Sequence, residues 1–378
     1  MAALTEEQSI IRDQAKNWVS SEAPVQSFRE MRDSGNADCY EAPTWAAMVE
    51  MGWTGILIPE SYGGSDLGYL TFGLILEELG RHLTASPLVS SALVGASAIM
   101  LGGSENQKQA LLPKIVDGSE IFTLAVDERP NHAPAQIVTR AEAVDGGFQI
   151  TGQKTFVPEG MAATQMIVAA RTGGEAGQED GISLFLIDCS SQGISRERMV
   201  MVDSRGYANV SLSSVKVSAD QVLGSIDQGY PILAETLDRA RAGLAAEMLG
   251  TSAQAFDMTL EYLKTREQFG RVIGSFQALG HRAAMLFSAM ELARSCVEGA
   301  LQAIDAQAED RAQLVALSKC RVGDFLHEMS NQLIQIHGGI GMTDEFDAGF
   351  YLKRARVLEA MFGNQAYHRD RYAQLAGF

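Results

Sequence analysis

Residues 237–280 read LDRARAGLAAEMLGTSAQAFDMTLEYLKTREQFGRVIGSFQALG, and the rest of the chain is organised around them. Apolar residues return at helical spacing (Leu237, Leu244, Met248, Leu249, Phe256, Leu260, Leu263), which predicts one long amphipathic helix packed in a bundle. A polar and glycine-containing break follows at Gln268, Phe269, Gly270 and Arg271, and a second helix starts beyond it. The first helix carries Glu247. Its neighbours three and four positions away are Gly243, Leu244, Gly250 and Thr251, with Ala240 and Gln254 two turns off. None is basic and most are small. A carboxylate in that setting is a candidate base facing a ligand. The alternative is an exposed Glu, or one paired with an Arg distant in sequence.

Length and charge narrow the classes. A chain of 378 residues exceeds one simple core and predicts two or three packed units. Its net charge of -17 disfavours a nucleic-acid footprint, which needs basic surface. Any phosphate-bearing ligand must then meet a few placed arginines and helix N-termini. The four cysteines (Cys39, Cys189, Cys296, Cys320) follow no metal spacing, so no metal site is expected, and they read as reduced, mostly buried thiols. The opening MAALTEEQSIIRDQAKNW lacks the apolar core of a secretory leader, and no run approaches a membrane span. The expected address is cytoplasmic, with no membrane partner.

Residues 1–118 read as a helical domain. Thr5 and Gln8 fit a capping box, and Tyr69–Arg81 and Leu88–Leu101 are further helices, with Pro59–Gly64 as a loop. From 119 to 225 the pattern turns to short, β-branched runs: 121–126, 148–151, 166–170, 182–187 and 210–217. Asp145-Gly146-Gly147 and Thr172-Gly173-Gly174 punctuate them as turns. Residues 226–378 are helical again. Helices, then strands, then helices predict segregated units of an α+β protein, not an alternating parallel sheet, and no glycine-rich dinucleotide fingerprint follows a strand.

Four segments together carry a resemblance: TREQFGRVIGSFQALGHR, PESYGGSDLG with EELGRH after it, GFQITGQKTFV, and QIHGGIGMTDE. Spread from residue 59 to 345 in the family's order, these segments make the chain resemble the acyl-CoA dehydrogenase family. It looks most like the subgroup of the pimeloyl-CoA dehydrogenase small subunit and steroid side-chain acyl-CoA dehydrogenases. The resemblance implies an N-terminal helical domain, a middle β domain and a C-terminal four-helix bundle. It implies FAD-dependent α,β-dehydrogenation of an acyl-CoA to the trans-2-enoyl-CoA, as in β-oxidation or lipid and steroid catabolism. A carboxylate removes the α-proton while hydride leaves for flavin N5. A dimer of dimers, homo- or heterotetrameric, is implied, with an electron-transfer flavoprotein as acceptor. The alternative is a non-catalytic or FAD-site-completing subunit of a heteromeric acyl-CoA dehydrogenase.

Residue by residue, the family's usual base in its Y-E-G-T segment falls on Gly363, and the base position of other members falls on Ala240. Glu247 lies seven residues beyond Ala240, on nearly the same helix face about 10 Å along the axis. It is the expected base, with Glu359 second. Arg266 and Phe269 match the family's R-x-x-F pair for the FAD diphosphate and adenosine half, normally met from a neighbouring subunit. Gln277, Gln335, Gly338 and Gly339 match further FAD-contacting positions. The flavin-side loop departs from the family: T-E-P-G-A-G-S-D is here 127–134, and W-I-T is Phe156-Val157-Pro158. Phe156 is expected to cover the flavin, and the Val126 and Val157 backbones to bond its pyrimidine. Asp238 and Arg241 match a D-x-x-R near the CoA, with Arg239 assisting. Gly243, Gly250 and Thr251 leave room for a bulky or branched acyl tail.

Overall fold

The computed structural model describes residues 4–378. Its helices are α1 (Glu6–Glu22), α2 (Val25–Ser34), α3 (Ala42–Glu50), α4 (Gly68–Arg81), α5 (Ala96–Gly102), α6 (Glu105–Val116), α7 (Tyr230–Thr265), α8 (Gln277–Asp305), α9 (Arg311–His337), α10 (Ala348–Ala360) and α11 (Gln365–Leu375). The strands of the main sheet are β1 (Phe122–Ala125), β2 (Arg140–Val144), β3 (Gly147–Pro158), β4 (Gln165–Arg171), β5 (Ile182–Asp188), β6 (Ile194–Met199), β7 (Tyr207–Ser218) and β8 (Val222–Leu223). Two short strands, β9 (Glu267–Gln268) and β10 (Arg271–Val272), form a hairpin between α7 and α8. No helix among the described residues is long and apolar enough to cross a membrane.

Two compact units are built from interleaved segments. One takes 30–68 and 85–240; the other takes the segment ending at Arg29, Tyr69–Thr84 and Arg241–Phe378.

The first unit holds the sheet, in the order β6-β7-β3-β2-β4-β5-β8, with β1 pairing in parallel with β4. The apolar runs of β4 and β5 are buried end to end, as their near-continuous Val, Ile and Leu content requires. The β2–β3 hairpin closes on Asp145-Gly146, with Gly146 at φ 83° supplying the left-handed conformation of the turn. Strands β2 and β6 escape the sequence reading because RAEAV and ISRERM carry charged residues and little apolar alternation. In the same unit, the helix expected over 88–101 is present, its first part (Val89–Gly95) wound as a π-helix.

The second unit is helical: three long helices and two short ones at its C-terminal side, with α1 and α4. The Thr5–Gln8 capping box is formed, each backbone N–H meeting the other residue's side-chain oxygen at 3.1 Å. The amphipathic reading of α7 needs correction. From Arg241 to Ala253 every residue is buried, so this stretch is enclosed on all faces. The cause lies in glycine. A Cβ on Gly80 of α4 would sit 2.3 Å from the Glu247 carbonyl oxygen, and one on Gly250 would sit 1.8 Å from that of Glu77. The two helix backbones touch through the absent side chains.

Candidate active site

Glu247 is 7% exposed, in the enclosed part of α7. Its carboxylate is not alone. Arg354 of α10, 107 residues on and 8% exposed, donates from Nε at 3.0 Å and from Nη2 at 2.6 Å to Oε1. Such charge-assisted bonds are short and fix direction. The expected space around Glu247 also needs correction. Gly250 abuts the Glu77 backbone, and Thr251 donates its hydroxyl to the carbonyls of Glu247 (2.9 Å) and Gly80 (3.2 Å). Both residues serve the α4–α7 contact and leave no room for an acyl tail there. Gly243 is buried on the same helix, as are Ala240 and Asp238, and Arg239 lies 3.4 Å from Glu235.

The turn after α10 carries Gly363, the position that the resemblance aligns with the family's usual base. Gly363 has φ 104°, and a Cβ there would lie 2.4 Å from the Tyr367 ring and 3.0 Å from His368 Nε2. Two buried cations brace this turn. Arg241 donates Nε to the Phe362 carbonyl at 3.0 Å and Nη2 to the Tyr367 hydroxyl at 3.1 Å. Lys319 of α9 donates to the carbonyls of Leu358 (2.9 Å), Gly363 (3.2 Å) and Glu359 (3.3 Å). Burial, with Arg241 nearby, pulls the Lys319 ammonium down to about 7, although three carbonyls are what its three protons require. Glu359, the second candidate base, faces another way: Arg356 binds it at 2.5 Å and His327 at 3.1 Å.

The residues matched to the cofactor's adenosine half gather at one end of the same helical unit. Arg266 and Phe269 lie at the β9–β10 hairpin, whose tip puts Phe269 (φ 56°) and Gly270 (φ 75°) in the left-handed region. Gln277 opens α8, Gln335 is in the last turn of α9, and Gly338 and Gly339 follow it. All six are exposed, Phe269 at 89%. Side-chain contacts tie the three segments together. His337 stacks between Tyr262 (centroids 4.3 Å) and Phe346 (4.7 Å), and Arg282 donates to Gln332 at 3.4 Å. The His337 Nδ1 lies 2.7 Å from the Leu333 carbonyl, and burial pushes its imidazole down from the ordinary range, so it acts as a neutral structural ring. Cβ atoms on Gly338 or Gly339 would meet nothing within 4 Å, so a ligand can approach that backbone.

The flavin-side residues belong to the sheet unit. Lys154 of β3 is fully buried and donates to the Val126 carbonyl (3.0 Å) and to Glu128 (2.7 Å). Glu128 also accepts from the backbone of Val138 (2.7 Å) and Thr139 (3.0 Å). Burial works to raise its carboxyl, but Lys154 and these donors hold it below the usual range. Asp127 binds His132 Nδ1 at 2.8 Å and the Ala133 N–H at 3.2 Å. The altered loop is thus held by the Glu128–Lys154 ion pair and the Asp127–His132 contact. A bulge in β3 between Lys154 and Val157 projects Phe156 outward at φ 51°, a strained conformation for a bulky residue, while Val157 stays buried opposite Ala208. Arg354, Lys319, Lys154 and the Asp127–His132 pair were all missed in sequence. Each partner is far along the chain or carries no motif.

Comparison with known proteins agrees across the whole length. The family descriptions matched are the acyl-CoA dehydrogenase N-terminal domain over residues 5–119, the middle domain over 131–218 and the C-terminal domain over 227–376. The mitochondrial 2-methylacyl-CoA dehydrogenase of Solanum tuberosum is 31% identical over 357 residues, covering 91% of this chain and 85% of that one. The probable acyl-CoA dehydrogenase YngJ of Bacillus subtilis (strain 168) is 30% identical, with 97% of both chains covered. The solved structure of the Tcur3481-Tcur3483 steroid ACAD superposes with a TM-score of 0.89 at 29% identity, covering 98% of each chain. With its helical, β and helical regions in the same order, the chain belongs to the acyl-CoA dehydrogenase family, FAD-dependent oxidoreductases that dehydrogenate acyl-CoA thioesters.

Proposed function

We propose that this chain oxidises an acyl-CoA to the trans-2-enoyl-CoA with Glu247 as the base that removes the α-proton. The observation that carries the assignment is a buried carboxylate, oriented by Arg354, in a chain whose other base position is a glycine with no space for a side chain. The α-proton of a thioester is weakly acidic, so the base must be aimed and shielded from water. FAD held by the residues named below would supply the acceptor for the β-hydrogen, which leaves as hydride. The protein's part is to receive the α-proton on the Glu247 carboxylate as the double bond forms. Arg241 and Lys319 keep the Phe362–Gly363 turn fixed, and the family resemblance assigns Asp238, Arg241 and Gly243 of α7 to the CoA ester.

The exposed set of Arg266, Phe269, Gln277, Gln335, Gly338 and Gly339 suits the diphosphate and adenosine of FAD. A planar guanidinium forks onto phosphate oxygens, and open glycines admit the ligand to the backbone. Phe156 suits the flavin ring, with the Val126 and Val157 backbones at its pyrimidine edge. An electron-transfer flavoprotein is the acceptor and a dimer of dimers the assembly.

The test is the visible spectrum of the purified protein titrated with straight-chain, branched and steroid-tailed acyl-CoAs, beside Glu247→Gln. Yellow protein that bleaches with one thioester is expected, with reduction slowed by about 10² to 10⁴ in the variant. Bleaching of the variant at the wild-type rate removes Glu247 from the role. A second reading, a subunit that completes an unlike partner's FAD site, is favoured by the exposed adenosine-side residues and the rebuilt 127–134 loop. It is supported by a colourless protein that binds FAD only with that partner.

A further inference from the structure

Glu247 and Arg354 come from α7 and α10, and both are more than nine-tenths buried. Two guanidinium nitrogens converge on one oxygen of the carboxylate, at 2.6 and 3.0 Å. We propose that Arg354 is a positioning residue that aims the Glu247 carboxylate at the α-proton. The proposal rests on Glu247 being the base.

Three features of the surroundings support it. First, several charged groups on the neighbouring helices have partners other than Glu247. On α4, Arg81 binds Asp257 at 2.9 Å and lies 3.9 Å from Glu78, and Glu77 binds Arg294 at 2.8 Å. On α9, Lys319 binds three carbonyls; on α7, Arg241 binds Phe362 and Tyr367; on α10, Arg356 binds Glu359. The positive charge delivered to the Glu247 carboxylate is that of Arg354.

Second, Arg354 sits on a pinned helix. Near the start of α10, the Tyr351 hydroxyl donates to the Arg81 carbonyl at 2.6 Å, and its end is braced by Lys319. Third, the bonds are paired and short, so they fix a direction as well as a charge. Replacing the guanidinium by Lys must keep the charge but lose the paired donors that set the carboxylate's direction.

The experiment follows flavin reduction in a single turnover, using the acyl-CoA that bleaches the wild-type holoenzyme. Wild type is compared with Arg354→Met, Arg354→Lys and Glu247→Gln. In Arg354→Lys the limiting rate is expected to fall at least about tenfold with the half-saturating thioester concentration unchanged. In Arg354→Met it falls further, because the carboxylate loses both paired donors. Thermal unfolding supplies a readout independent of activity: Arg354→Met and Glu247→Gln combined are expected to lose less stability than the sum of the single variants. If Arg354→Met does not fold, the Lys variant decides alone. A Lys variant at the wild-type rate, with Glu247→Gln inactive, overturns the positioning role and leaves the base in place. Glu247→Gln at the wild-type rate overturns the base, and this proposal with it.

Discussion

From Arg241 to Ala253, α7 is buried on every face, and the ionic groups around Glu247 find partners within the chain. From Lys264 to Gly270 the continuing chain is exposed, and Phe269 stands in solvent on a strained hairpin tip. The contrast separates two kinds of demand. A proton-accepting carboxylate must be aimed and shielded, and a buried charge without a partner is costly, so its environment is completed inside the fold. The residues of the hairpin make few internal contacts, and their side chains are left open, as the proposed cofactor-binding role requires.

The sharpest way to break this comparison is at Gly250. Its missing Cβ is where the Glu77 carbonyl sits, so Gly250→Ala forces two helix backbones apart. We expect a loss of about 3 kcal/mol in denaturant unfolding, together with lost alignment of Glu247. Unchanged stability would show that the α4–α7 contact is more compliant than the geometry implies.

Lys319 tests whether the buried end depends on its internal cations. Lys319→Met leaves three carbonyls without their donor, at an expected cost of about 2 kcal/mol. Its pH dependence has a definite sign. The ammonium is held at about 7 in the fold, against about 10.4 for an unfolded lysine. Between those values the unfolded chain binds more protons, so this residue makes stability rise with pH across that window. The Met variant should show a flatter rise, read from unfolding midpoints at pH 7 and 9.5. A parallel pair of curves would mean that the three carbonyls keep Lys319 charged throughout.

At the exposed end the expected effect on folding is smallest. Phe269→Ala should change unfolding stability by less than about 0.5 kcal/mol, because the ring buries little. FAD retention after gel filtration should fall even so. A stability loss as large as that at Gly250 would mean that the hairpin is a folding element of this chain.

Much was legible in the chain itself. Local spacing marked the long helix, its break at 268–271, the helices of 69–81 and 88–101, the capping box at Thr5 and the hairpin turn at Asp145-Gly146, because these depend on neighbours within a few residues. Four short motifs marked the family, since close contact with one cofactor constrains residue type at fixed positions. Glu247 stands out by the smallness of its neighbours, and at two of them that smallness has a cause other than ligand space. Gly250 and Thr251 serve a helix crossing, which no helical wheel of α7 can reveal because the partner lies on α4. Strands β2 and β6 were hidden by their polar faces.

What the tertiary structure alone decided is who stands beside whom in the buried interior. Arg354 meets Glu247 across 107 residues, Lys319 reaches a turn some 40 residues away, and Lys154 locks Glu128 in the rebuilt flavin-side loop. Sequence carries the type of each charge and the period of each helix. Whether a charge is buried, and which opposite charge or carbonyl then satisfies it, is set only when separate helices and strands are brought within hydrogen-bond distance.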